Sequence, residues 1–221
     1  MIYRKHYIPL ESDPNIFTSL MHKLGVNPTL KFVDVWSLEQ DEIQNLPGAV
    51  QALILILPAC PAYEEQGVKC QSLKSDENEE VVWFRQTINN ALGQKIILDS
   101  GLQLTPIIDA GSFLDRLMAA ENRTEYLENS EYLDAVYQQA ATSGSSEAPP
   151  AEAEIDHHYV CLVKRSCFLY ELDGDREGPI CRNVLAQDED VLSKKGREII
   201  QMYTQSDLEG SFSLLALIDS S

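Results

Sequence analysis

His158 and Asp173 lie fifteen residues apart in a stretch that reads as two strands, HHYVCLV (His157–Val163) and CFLYEL (Cys167–Leu172), joined by a tight connection near Arg165–Cys167. A hairpin of that length sets the two side chains opposite each other or one diagonal step apart, within reach. A carboxylate beside an imidazole fixes the ring's tautomer and raises its basicity, which is the base and orienter half of a catalytic triad. Gln86 adds an amide hydrogen that, together with a backbone N–H, can hold a developing oxyanion. On spacing alone such a His–Asp pair is more often structural, and Asp173-Gly174-Asp175 is by itself a turn signal.

Gln86 opens onto the stretch that the other elements must surround, WFRQTINNALGQKIILDS (Trp83–Ser100). Its apolar residues Ile88, Ala91, Leu92, Ile96, Ile97 and Leu98 are too crowded for a one-sided surface helix, so the pattern predicts a central helix touched on most sides. Gln86, Asn89 and Asn90 would sit near its N-terminal end, where free N–H groups and the positive dipole end favour a thiolate or an oxyanion.

The elements that position this helix follow in order. Tyr3–Leu10 reads as a short extended piece. Ser12-Asp13-Pro14 starts a helix with a capping hydroxyl and an early proline; Ile16, Leu20, Met21 and Leu24 form its apolar face and Gly25 ends it. Leu30–Trp36 alternates like a half-buried strand, a short acidic helix follows Ser37, and Ala49–Pro58 is apolar enough for a strand buried on both faces. Residues 60–80 read as an exposed loop. Ser112–Ala119 and Thr124–Ala140 read as helices. Residues 142–155, rich in Ser, Ala, Pro and Glu, cannot dock as core and read as a mobile loop. Beyond them come strands His157–Val163, Cys167–Leu172, Gly178–Arg182 and Ser211–Ile218, with a helix over Glu189–Tyr203. Strands in both halves need one another and a covering layer. The expected fold is α+β: a single domain over 1–221, with a central, mostly antiparallel sheet flanked by helices.

With a formal net charge of -18 over 221 residues, bulk electrostatics argue against nucleic acid or an anionic membrane as a partner and favour a basic one. The 44% apolar content is ordinary for a globular chain. The longest apolar run is too short to cross a bilayer, and the amino terminus lacks the apolar core of a secretion signal. Five cysteines without CxxC spacing suggest neither a disulfide framework nor a metal site. The chain reads as cytoplasmic, reduced and monomeric, without cofactor or metal.

YIPLESDP, KFVDVW, the buried strand, QTINNALG (Gln86–Gly93), RTEYLEN, SSEAP, HHYV, LYELDG (Leu169–Gly174) and SLLALI resemble, in order, the landmarks of the ubiquitin C-terminal hydrolase family of papain-like cysteine deubiquitinases. The resemblance implies a small sheet flanked by helices on a knotted chain path, with residues 142–155 as the loop that crosses the cleft. It makes Gln86 the oxyanion-hole glutamine, His158 the general base and Asp173 its orienter. One position departs decisively: Leu92 stands where the family carries its nucleophilic cysteine. Leucine offers no lone pair and no covalent intermediate. Gln94, Lys95, Ile96 and Asp99 also replace a small, apolar run, so the neighbourhood reads as reshaped. Cys161 does not substitute, since three residues along a strand turn its side chain to the face opposite His158.

Two functions follow. In the first, the chain is an inactive homologue that binds ubiquitin or a ubiquitin-like modifier without cleavage, its acidic rim residues Glu11 and Asp13 meeting the modifier's basic face. In the alternative, the cleft is turned to non-thiol acid/base chemistry on a small-molecule substrate, with His158 and Asp173 as base and orienter and Gln94 or Lys95 as new polar groups.

Overall fold

The computed structural model describes residues 5–58, 81–88, 108–146, 149–151, 157–204 and 212–219. Strand β2 (Val50–Pro58) runs between β6 (Ser213–Asp219) and β3 (His157–Arg165), so both of its edges are paired. Its alternate residues enter two separate cores: Ala52, Ile54 and Ile56 on one face, Leu53, Leu55 and Leu57 on the other. That double burial is why the strand is almost uniformly apolar. With β1 (Leu30–Asp34), β4 (Phe168–Leu172) and β5 (Ile180–Val184), the sheet has, among the described residues, six strands in the order β1-β6-β2-β3-β4-β5. Every pairing is antiparallel, in agreement with the α+β expectation.

Helix α1 (Pro14–Leu24) packs Phe17, Leu20, Met21 and Leu24 into the first core. Its cap is the Asp13 carboxylate, which accepts from the N–H groups of Asn15 and Ile16, instead of the Ser12 hydroxyl expected from the sequence. Gly25 ends the helix at φ 108°, and a Cβ there would lie 2.1 Å from the Cβ of Ser112. Only glycine lets the end of α1 approach Ser112, which itself caps α3 (Phe113–Ala119). A short helix, α2 (Gln40–Gln44), follows β1.

Four expectations need correction. The helix read over Thr124–Ala140 is two helices, α4 (Arg123–Glu128) and α5 (Glu131–Ala141), divided where Ser130 accepts from the N–H of Leu133. On one continuous helix Leu127 and Leu133 would point about 120° apart; the break lets both be buried. Next, α6 (Lys194–Thr204) starts five residues later than read. The Lys164 ammonium donates to the carbonyls of Ala186, Gln187 and Glu189, and the Asp190 carboxylate accepts from Leu192 N–H, which holds this approach in turns. The strand read over Gly178–Arg182 lies two residues further on, at Ile180–Val184. Finally, residues 81–88 form no helix, although the central helix was expected from Trp83. Their donors are spent on the β4 exit: Trp83 Nε1 donates to Asp173 O (2.8 Å) and Gln86 N–H to Gly174 O (3.0 Å). The remainder of that stretch, and with it the chain path on which the knot depends, lies outside the described residues, as do the loop read over residues 60–80 and positions 147–148 and 152–155 of the expected crossing loop.

The β3–β4 hairpin turns on two residues, between the paired Arg165 and Phe168. Ser166 takes φ 51°, a left-handed conformation that disfavours a Cβ-branched side chain. Ser166→Val is therefore expected to lower stability by about 1–2 kcal/mol in urea unfolding, while Ser166→Gly leaves it equal or higher. Equal losses for both would contradict this assignment.

Candidate functional site

β3 pairs with β2 through Leu57↔His158 and with β4 through Cys161↔Leu172. Carried three residues past the end of β4, that register sets His158 across from Asp175, with Asp173 one diagonal step away. The side chains meet accordingly. His158 Nε2 lies 3.1 Å from Asp173 Oδ1, and Nδ1 lies 3.5 Å from Asp175 Oδ2. The first contact is one of distance and charge, not a well-aligned hydrogen bond.

Asp173 is fully buried, so its charge must be met locally. Oδ1 accepts from Asp175 N–H (2.9 Å) and Oδ2 from Arg176 Nε (3.1 Å). Its position is therefore set by the turn that follows β4, which holds its charge beside the buried imidazole. Gln86 reaches the same turn through its bond to Gly174 O. It is 7% exposed, and its Oε1 has no partner among the described residues. Asp175 is the residue that sequence reasoning missed as a site group, since its Asp-Gly-Asp context reads only as a turn. The hairpin register was the signal that could have found it.

Other candidates fall elsewhere. Leu92, Gln94 and Lys95 lie outside the described residues. Cys161 is buried among the first-core residues, on the face opposite Val160 and Leu162. Cys167 is exposed at the far end of β3, about 23 Å of strand from His158. Glu11 is engaged by the chain's own loop: Oε1 accepts from Ser145 Oγ (3.0 Å), and Oε2 from Ser146 N–H (3.1 Å) and Oγ (2.9 Å). The Ser146 backbone bond, then the hydroxyls, hold its carboxyl below the usual range. Asp13 caps α1 and also edges a groove of about 320 Å³ with Asp34, Trp36 and Phe212. Burial, then the charge of Asp13, pushes Asp34 above the ordinary carboxylate range. Trp36 is 89% exposed and Phe212 46%.

Residues 7–205 match the model of ubiquitin carboxyl-terminal hydrolase, family 1. The chain belongs to this family. Among its relatives, the ubiquitin carboxyl-terminal hydrolase of Drosophila melanogaster is 31% identical over 96% of both chains. The ubiquitin carboxyl-terminal hydrolase YUH1 of Saccharomyces cerevisiae is 30% identical over 78% of this chain and 77% of its own. The fold is also that of the Trichinella spiralis UCH37 catalytic domain, solved bound to ubiquitin vinyl methyl ester, with TM-score 0.73 at 23% identity, covering 99% of this chain and 97% of that one. A ubiquitin hydrolase fold thus carries the His158–Asp173 contact at one end of its sheet. Among the described residues, no helix is long and apolar enough to cross a membrane.

Proposed function

We propose that this chain is a ubiquitin C-terminal hydrolase homologue that binds ubiquitin or a ubiquitin-like modifier and does not cleave it. The observation that carries the reading is Leu92 within QTINNALG, a hydrocarbon side chain at the position where the family resemblance puts the nucleophile. Gln86, His158 and Asp173 are then the inherited oxyanion donor, base and orienter, left without a thiol to activate. The chain acts as one domain, a monomer, in the cytoplasm, with residues 142–155 as the crossing loop.

Binding is supported by the groove beside Asp13 and Asp34. An exposed tryptophan and phenylalanine with two carboxylates at their edge suit a partner surface that is apolar at its centre and basic around it. Calorimetry with ubiquitin is expected to give a micromolar-range Kd, weakening as salt rises. Trp36→Ala is expected to weaken binding about tenfold or more. No heat at high concentration of both proteins would remove the reading.

A second reading is favoured by the retained contact between a buried imidazole and a buried carboxylate. His158 and Asp173, with Gln94 or Lys95, would perform acid/base chemistry on a small molecule. Any such turnover must vanish in His158→Ala; unchanged turnover would exclude the histidine.

A further inference from the structure

We propose that His158 and Asp175 form a binding site for a divalent transition-metal ion of the zinc class, with Asp173 as the carboxylate that orients the imidazole. His158 has a carboxylate at each ring nitrogen: Asp173 Oδ1 3.1 Å from Nε2 and Asp175 Oδ2 3.5 Å from Nδ1. A neutral imidazole carries one N–H, so with a carboxylate at each ring nitrogen one lone pair is left facing a carboxylate in either tautomer. With the proton on the buried Asp173 side, that pair is Nδ1 and the Asp175 carboxylate. Two electron-rich atoms then oppose each other unless a second ring proton or a cation stands between them.

The spacing suits a cation. Ligands about 2.1 Å from a tetrahedral metal are about 3.4 Å from one another, close to the separation of Nδ1 and Oδ2. One ligand atom from each of His158, Asp173 and Asp175 falls within 4.8 Å of the others. Asp173 is occupied by Asp175 N–H and Arg176 Nε, which casts it as the support behind the histidine and not as a ligand. Histidines that hold metals are usually backed by such a carboxylate, which fixes the tautomer that presents the lone pair. Gln86 is bonded to the same turn through Gly174 O, and its buried side-chain oxygen is without a partner among the described residues. The Asp175 side chain is 46% exposed, which leaves a route in and room for water on the ion. An imidazole ligand selects against magnesium and calcium, which take oxygen donors.

Binding of Zn²⁺ alone to the full chain, by calorimetry together with NMR of the imidazole resonances, tests the proposal. The expected result is one ion per chain with the His158 ring signals shifted. Asp175→Asn, at an exposed position that leaves the fold intact, should weaken binding at least tenfold, and Asp173→Asn about 10–100-fold. His158→Ala should remove the site. Cys167→Ser, which takes away an exposed thiol as a rival ligand, should leave affinity unchanged. Absence of binding at millimolar Zn²⁺, equal affinity for wild type and Asp175→Asn, or affinity that follows the cysteines would overturn the proposal. None of these outcomes depends on whether ubiquitin binds or whether Leu92 blocks cleavage.

Discussion

Leu92→Cys is expected to release dye from a fluorogenic C-terminal ubiquitin amide at least about 100-fold faster than the unaltered chain, whose rate should not exceed background. The magnitude is the lower end of what a positioned general base contributes. His158 and Asp173 are 3.1 Å apart and buried, so the base and its orienter need no rebuilding to serve a new thiol. Gln86 is held against the same turn by its bond to Gly174 O. His158→Ala placed on Leu92→Cys should return the rate to background. Should Leu92→Cys stay inactive while still binding ubiquitin, Gln94 and Lys95 have altered the nucleophile's surroundings, and the restored thiol cannot reach the base.

Arg182→Met is expected to cost about 3–5 kcal/mol in denaturant unfolding. Glu171 is fully buried, two residues before Asp173 on β4. Arg182 on β5 meets its Oε2 at 2.6 Å through Nη2 and 2.7 Å through Nε, while Tyr203 on α6 donates to Oε1 at 2.8 Å. Arg182 Nη2 also donates to the Tyr203 hydroxyl (2.7 Å), which closes the network. Removing the cation strands a charge in a core that cannot solvate it. Replacing both ends, Glu171→Leu with Arg182→Met, should recover most of the loss. A loss below about 1 kcal/mol for Arg182→Met would show that the pair carries little of the packing of β4 and β5 against α6.

The penalty should also depend on pH, with a sign fixed by burial. Burial pushes the Glu171 carboxyl above its ordinary value of 4.5, and Arg182 and Tyr203 pull it back. A group whose folded-state value is raised favours the fold most fully below its unfolded value and loses that contribution as pH rises through the folded one. Without Arg182 the folded value climbs further, so Arg182→Met should be more damaging at pH 8 than at pH 5. A penalty that grows on acidification would contradict this.

The sheet was largely legible because hydrophobic period reports burial directly. Val50–Pro58 is apolar at nearly every position, and both of its faces are covered. Helix ends were legible where chemistry marks them, as at Pro14 and Gly25. What failed were continuities. Thr124–Ala140 keeps a helical composition across Asn129-Ser130, and only tertiary packing of Leu127 and Leu133 demands the break. Trp83–Ile88 has apolar residues at helix-like intervals, yet its donors serve Asp173 and Gly174 on a distant hairpin, a pairing that no local pattern announces. The meeting of His158 with Asp173 could be anticipated from hairpin length. Asp175 could not be weighed from its turn-like context, and ligands drawn from the two ends of a hairpin leave no metal-binding spacing in the sequence. Glu11, anticipated as a rim charge, is taken up by Ser145 and Ser146, partners more than 130 residues away along the chain.

The most direct measurement is the intact mass of the unaltered protein after prolonged incubation with ubiquitin vinyl methyl ester, whose electrophile captures a cysteine nucleophile seated at ubiquitin's C-terminal tail. The expected spectrum holds the mass of the free chain alone, with a ubiquitin adduct appearing in Leu92→Cys. An adduct on the unaltered chain that is lost in His158→Ala would contradict it, because one of the chain's own cysteines would then be acting as the nucleophile in place of residue 92.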